Sequence, residues 1–423
     1  MRAVAVIDGE HYADVVRDAL AELPHDVVAA VVVGGTEKLR GGESYGVPLA
    51  PTLEAAIAEY APDVVVDLSD EPVLGPVARF ALASRALALG VPYEGADFRF
   101  EPPVLAPFEV PSLAVVGTGK RVGKTAVTGH VVRTIARGRS IVVVAMGRGG
   151  PAEPELIESP PTLDDLVALS RAGRHAASDH FETAALAGVP TIGCRRAGGG
   201  LAGAVFTSNV VEGARVAAEL APDLVVFDGS GAAMPPIAVA RRILVVGAHQ
   251  PVDVATGYLN AYRLRIADLV VVTMAEDGAE RLREEIRGLV RADVPVVTTV
   301  LRPRPSRSVA GRRIAYFGTA PPAQRARIAE HLTTAHGADV AHVSGALSDR
   351  GRLREEIARL DAEVFVVELK AAAIDVVAEA ALERGVEVVL ASNDVVSLRG
   401  EVDFDAELLR LADEAVARVE LVA

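Results

Sequence analysis

Lysine is almost missing from this chain of 423 residues: only four of its 43 basic residues are lysine, and the rest are arginine. Cysteine occurs once, at Cys194, which excludes an internal disulfide and suits a reducing cytoplasm. No His–Asn pattern accompanies Cys194, so it reads as a small packed residue rather than a nucleophile. Tryptophan is absent and aromatic residues make up 4%, so any core must be aliphatic. Apolar runs such as Val27–Val33 fall far short of the roughly 20 residues a membrane helix needs. The first residues read as a strand and not as a signal peptide. A net charge of −14 excludes the broad basic face that a nucleic-acid partner requires. Screening over about 8 Å still allows a local cationic pocket. CxxC, HExxH and an ordered Ser–His–Asp set are also lacking, which removes the usual marks of zinc sites and triad hydrolysis.

Against that background, two of the four lysines fall within Gly117-Thr118-Gly119-Lys120-Arg121-Val122-Gly123-Lys124-Thr125. An apolar run (Leu113 to Val116) precedes this stretch and an apolar-periodic segment (Ala126 to Ala136) follows it, giving strand, glycine-rich turn and helix start. Such a loop wraps an anion in backbone N–H groups at a helix N-terminus, with Lys124 reaching the outer phosphates of ATP. The Thr125 hydroxyl is placed for Mg²⁺. One departure stands out: Thr118 occupies the usual first-glycine position, and Gly117 lies one place earlier. The other two lysines also follow apparent strands. Lys38 lies in Gly34-Gly35-Thr36-Glu37-Lys38, and Lys370 follows Val364–Leu369. Open α/β sheets place ligands at such strand ends.

Strand-like runs alternate with helical patterns throughout, which predicts an α/β fold. The expected architecture is a mainly parallel P-loop sheet with helices on both faces, preceded by a smaller Rossmann-like α/β domain. The Pro-rich stretch 101–107 and the cluster Arg302-Pro303-Arg304-Pro305 suggest boundaries. Residues 1–108 then form the first domain and 109–305 the P-loop domain. Residues 306–423 form a C-terminal α/β region, either separate or continuous with the P-loop sheet.

A P-loop needs an acid on the same sheet edge, and Asp228 ends the apolar run Leu224–Phe227 just before Gly229-Ser230-Gly231. Asp228 and Thr125 are the expected metal-site residues. Two further glycine loops carry arginine: Met146-Gly147-Arg148-Gly149-Gly150-Pro151, and Arg195-Arg196-Ala197-Gly198-Gly199-Gly200 between helical patterns. Guanidinium forks bind phosphate oxygens bidentately. With Lys38, these loops imply more phosphate than one ATP carries, hence a polyanionic second substrate. His11, in Asp8-Gly9-Glu10-His11-Tyr12, follows the first strand and joins the candidates.

The P-loop together with Asp228-Gly229-Ser230-Gly231 and Pro235 resembles the dethiobiotin synthetase branch of P-loop proteins, where the acid matching Asp228 is a glutamate. A closer resemblance, over most of the chain, is to cyclic 2,3-diphosphoglycerate synthetases. It rests on the blocks Ile7-Asp8-Gly9-Glu10-His11-Tyr12, Gly34-Gly35-Thr36-Glu37-Lys38-Leu39 and Met146-Gly147-Arg148-Gly149-Gly150-Pro151, and on the P-loop. That resemblance implies ATP-dependent closure of 2,3-bisphosphoglycerate to a cyclic phosphoanhydride, with release of ADP and phosphate. The expected nucleotide-binding residues are Gly117, Thr118, Gly119, Lys120, Arg121, Val122, Gly123, Lys124 and Thr125. Lys124, Lys120, Arg148 and Asp228 are expected to be catalytic. His11, Lys38, Arg148, Arg195, Arg196 and Lys370 are expected to bind substrate. ATP and Mg²⁺ are the cofactors implied, and a cytoplasmic homodimer is the expected assembly. The alternatives are a carboxylate-activating ligase of the dethiobiotin synthetase type and a nucleotide-switched ATPase of the partitioning type.

Overall fold

The computed structural model describes residues 1–420 except Thr36, Pro72 and Arg399. The first hundred residues form a five-stranded sheet from β1 (Arg2–Ile7), β2 (Asp26–Val32), β3 (Val64–Asp67), β4 (Tyr93–Gly95) and β5 (Phe98–Phe100). Its order is β2-β1-β3-β4-β5, parallel except for the final pair. Helices α1 (Ala13–Glu22), α2 (Leu53–Tyr60) and α3 (Pro76–Ala88) complete the layer. Thr52 caps α2 by accepting from the Ala55 N–H, and Pro76 opens α3 where no amide donor is needed.

The second sheet opens with β6 (Ser112–Gly117), α4 (Lys124–Ile135), β7 (Ile141–Gly147), β8 (Glu155–Ile157), α5 (Leu163–Arg171), α6 (Asp179–Ala187), β9 (Thr191–Ala197) and β10 (Thr207–Ser208). It continues through α7 (Val210–Glu219), β11 (Leu224–Asp228), β12 (Arg241–Gly247), α8 (Val252–Thr256), α9 (Asn260–Arg265), β13 (Leu269–Thr273) and β14 (Val296–Pro305). The C-terminal region adds β15 (Arg313–Phe317), β16 (Asp339–Ser344), β17 (Val364–Glu368) and β18 (Glu387–Ser397). All lie in one sheet of order β10-β9-β7-β11-β6-β12-β13-β14-β18-β17-β15-β16, with β8 pairing on β9. The central strands are buried from end to end and apolar apart from Ser112 at the start of β6 and Asp228 at the end of β11, as burial on both faces demands.

The Arg302–Pro305 cluster, a suggested boundary, lies within a strand. It is the second half of β14, which pairs antiparallel with β18 from Thr299↔Ser397 to Pro305↔Ala391. The Ser306 N–H donates to the Leu390 carbonyl at 2.8 Å. Strand alternation then turns the ring nitrogens of Pro303 and Pro305 away from β18. β13 pairs with β14 only as far as Thr298, so the prolines remove no ladder bond. The C-terminal region is joined a second time through side chains. Leu166 of α5 and Phe181 of α6 share a buried cluster with Phe317, Phe365 and Ile374.

Candidate functional site: a phosphate loop against two acids

β6 carries the chain to the sheet edge, and neighbouring elements pin the loop that follows. The Gly117 N–H donates to the Gly231 carbonyl and the Thr118 N–H to the Val245 carbonyl, both at 2.9 Å. The Thr118 hydroxyl donates to Gln250 Oε1 at 2.6 Å, Asn260 Nδ2 donates to the Thr118 carbonyl at 3.1 Å, and Thr273 Oγ1 donates to the Val122 carbonyl at 2.7 Å. Among the described residues, no backbone N–H from Gly119 to Gly123 meets a protein acceptor. The free donors therefore begin at Gly119, while Gly117 and Thr118 shape the turn. Arg121 (φ 64°) and Gly123 (φ 80°) hold left-handed conformations. For arginine that conformation is strained, and such strain gathers at functional loops.

Lys124 opens α4 and turns inward. Its Nζ lies 2.5 Å from Asp228 Oδ1, which also accepts the Thr128 hydroxyl at 2.6 Å. β11 delivers Asp228 to this point beside β6, as the apolar run ending in an acid suggests. Asp228 is completely buried, and among the described residues no donor meets its Oδ2. Burial holds this carboxyl above the usual range; Lys124 opposes that shift and the Asp179 charge adds to it. An unpartnered carboxylate oxygen beside the phosphate loop fits a divalent cation, and the half-buried Thr125 lies one residue past Lys124. Lys120 is exposed on the loop.

The arginines divide into two settings. Arg196 and Arg148 stand together beside the loop. Arg196 donates to the Ser230 carbonyl at 3.0 Å, to Ser230 Oγ at 3.1 Å and to the Gly198 carbonyl at 2.9 Å. Burial and the nearby Arg148 charge hold the Arg196 pKa down. A β-carbon built on Gly231 would lie 3.7 Å from both Arg148 Nη2 and the Gly119 carbonyl oxygen, which puts Arg148 at the loop. Arg195 is separate. It belongs to β9, as does Arg196, and not to a loop between helices as the sequence suggested. Consecutive strand residues face opposite ways. Arg195 is exposed and shares its strand face with Gly193, which packs on His180 of α6.

Lys370 follows β17 and reaches from the C-terminal region to α6, where its Nζ lies 3.6 Å from Glu182 Oε1. Glu182 and Asp179 were not singled out in the sequence, because an acid in the first turn of a helix is ordinarily a stabilising surface residue. Here Glu182 is buried, which lifts its carboxyl to about 7 although Lys370 and Lys124 favour the charged form. A β-carbon on Gly147 would lie 3.8 Å from Asp179 Oδ2, so this acid stands over the end of β7.

His11 and Lys38 lie in the first domain. His11 Nδ1 is 2.9 Å from Asp8 Oδ1 and Nε2 is 3.3 Å from Asp70 Oδ2. Lys38 Nζ is 2.6 Å from Glu37 Oε1 and 5.8 Å from the centre of the Tyr12 ring. Burial pushes the Asp8 carboxyl up, but the Asp70 and Glu10 amides and His11 outweigh it and hold the pKa low. Among the described residues, no hydrogen bond or ion pair of His11 or Lys38 reaches the P-loop. The two regions meet elsewhere: Ser84 Oγ of α3 donates to the Tyr258 carbonyl at 3.0 Å, and Phe80 packs edge-on against the Tyr258 ring.

A pinned glycine loop before a helix, with its lysine paired to an acid on the neighbouring parallel strand, defines a P-loop nucleotide-binding protein. Family models identify the particular kind. The P-loop domain of cyclic 2,3-diphosphoglycerate synthetase matches residues 112–300, the N-terminal domain matches 2–101 and the C-terminal domain matches 305–394. The chain belongs to the cyclic 2,3-diphosphoglycerate synthetase family. It is 48% identical over 436 residues to the cyclic 2,3-diphosphoglycerate synthetase of Rubrobacter xylanophilus, covering 98% of each chain. The Thermococcus kodakarensis protein of the same name is 43% identical, over 98% of this chain and 99% of its own. The Methanothermus fervidus protein is 39% identical, over 93% and 92%. Among solved structures, LpxK from Aquifex aeolicus in complex with ATP matches 73% of this chain and 91% of its own, at 14% identity and a TM-score of 0.43. Among the described residues, no helix is long and apolar enough to cross a membrane.

Proposed function

We infer that the chain uses ATP to close 2,3-bisphosphoglycerate into cyclic 2,3-diphosphoglycerate, releasing ADP and phosphate. The observation that carries this reading is the density of phosphate-binding groups at one sheet edge. Free amides, Lys124, Arg148 and Arg196 surround the loop, and Lys370 lies across from it near Glu182. ATP and the bisphosphoglycerate together bring roughly eight or nine negative charges. A phosphate dianion is itself a nucleophile, so a catalytic base is not required.

Two in-line displacements account for the product. One substrate phosphate attacks the γ-phosphorus, ADP leaves, and the substrate carries a diphosphate. Lys124 leaves Asp228 to follow the transferring group, and Lys120 and Arg148 spread its charge. The second substrate phosphate then attacks the inner phosphorus of that diphosphate, expelling inorganic phosphate and closing the ring. Arg148, Arg195, Arg196 and Lys38 are assigned to folding the two phosphates together, because the repulsion between those phosphates opposes closure, and His11 and Lys370 are assigned to binding the same substrate. Thr125 and Asp228 would hold Mg²⁺, which supplies neutralisation of phosphate charge when bound. The same reading takes a cytoplasmic setting and a homodimer. It treats 1–108, 109–305 and 306–423 as three units, the last continuing the P-loop sheet. ADP release measured with each substrate omitted in turn tests it: release must depend on 2,3-bisphosphoglycerate. Release that instead needs a carboxylate with an amine or CO₂ would favour the ligase, and slow substrate-independent hydrolysis would favour the switch.

A further inference from the structure

Lys370 reaches its position by a route in which each step has a visible cause. β17 ends at Glu368, whose carboxylate accepts from the Tyr316 hydroxyl and Asn393 Nδ2 at 2.9 Å and from the Thr319 N–H at 3.3 Å. The Lys370 N–H closes back on the Glu368 carbonyl at 2.8 Å, and Ala371 takes a left-handed φ of 47°. This tight turn throws the Lys370 side chain off the strand end toward α6. Glu368 thus anchors the base of the lysine.

Glu182 meets its tip. It lies across the junction, on a helix of the P-loop region, and only 10% of its side chain is exposed. The separation of 3.6 Å is that of an ion pair without a short hydrogen bond. Glu182 and Glu368 favour the charged ammonium, as does Asp179, and together they outweigh its burial and raise the Lys370 pKa. Glu182 also feels the Lys124 charge, so both lysines lie within electrostatic range of one acid. A buried carboxylate with no role beyond this pair is costly to keep. Its pairing with Lys370, across the junction from the P-loop region, gives it one.

We propose that Glu182 is a positioning residue: it holds the Lys370 ammonium at the edge of the P-loop cleft, ready to pass to a phosphate oxygen of the bisphosphoglycerate. The proposal rests on the function inferred above. The incoming oxygen replaces Glu182 as the partner of Lys370, and no bond other than these contacts is made or broken. Glu182 therefore acts on the substrate only through Lys370.

Steady-state kinetics on the full chain test this with Glu182→Gln, Lys370→Met and the double variant. Glu182→Gln should raise KM for 2,3-bisphosphoglycerate about tenfold, with KM for ATP changed less than about twofold. Glu182→Asp should restore part of the loss. In the Lys370→Met background, Glu182→Gln should add nothing further, because the two residues act as a unit. Additive losses, or equal effects on both KM values, would overturn the proposal, as would an unchanged KM for the bisphosphoglycerate. If Glu182→Gln does not fold, Glu182→Asp against Lys370→Met carries the same comparison. Bisphosphoglycerate-dependent ADP release by the unmodified chain is measured first. Its absence refutes the inferred function, whereas its presence with additive losses refutes the role of Glu182 alone.

Discussion

Lys124 pairs with Asp228 in this structure, and on the proposed reading the same side chain follows the phosphates once nucleotide is bound. Lys124→Ala should abolish ADP release while leaving the circular dichroism spectrum intact, and turnover near the unmodified rate would remove the P-loop from the chemistry. Glu182 allows a test by pH. Its folded-state pKa of about 7 lies above the 4.5 of an ordinary glutamate, so between those values the native state keeps a proton that the unfolded chain has lost. Its contribution to stability is therefore fully present below about pH 4.5 and declines as pH rises through 7. Denaturant midpoints should show Glu182→Gln gaining on the unmodified chain across that window, and a constant difference from pH 4.5 to 8 would contradict the assignment. A residue that lowers stability at neutral pH yet pairs with Lys370 has the balance expected of a functional site.

Among the elements, the strand ends decide what is brought together. The loop after β7 approaches β9 so closely that a β-carbon on Gly150 would lie 2.1 Å from the Cys194 carbonyl oxygen. Gly150→Ala should cost about 1–3 kcal/mol in chemical denaturation, and a neutral result would mean that the Arg148 loop can move away freely. The loop itself was legible in the sequence, because a strand, glycines, lysine and threonine in that order carry their own geometry. Asp228 was legible for the same reason: an apolar run ending in an acid beside glycines can only emerge at the sheet edge. Arg195 and Arg196 were legible as phosphate-binding types but not as opposite faces of a strand, since the following glycines hide the short β9 pattern. Glu182 was not legible at all. Its partner is 188 positions away, and a helix-start acid gives no sign that another region will cover it.

At the scale of the whole molecule, the larger of the two sheets runs from arginine-bearing β9 through the P-loop strand to the C-terminal region, joined at the β14–β18 pair. Prolines usually end strands, but alternation that turns the ring nitrogens of the Arg-Pro cluster away from β18 lets β14 continue through it. The sheet and the shared core of α5, α6 and β17 therefore bring Lys370 beside the nucleotide-binding elements, although it lies far along the chain. The first domain, with His11 and Lys38, packs through α3 against Tyr258 and α9.

The central claim is that these groups assemble two polyphosphates and close one of them into a ring. Phosphorus NMR of the purified chain with Mg-ATP and 2,3-bisphosphoglycerate tests it most directly. The account predicts loss of both phosphomonoester signals and growth of a phosphoanhydride signal belonging to the glycerate product, with equal amounts of ADP and inorganic phosphate. ADP and phosphate accumulating while both monoester signals persist unchanged would contradict it.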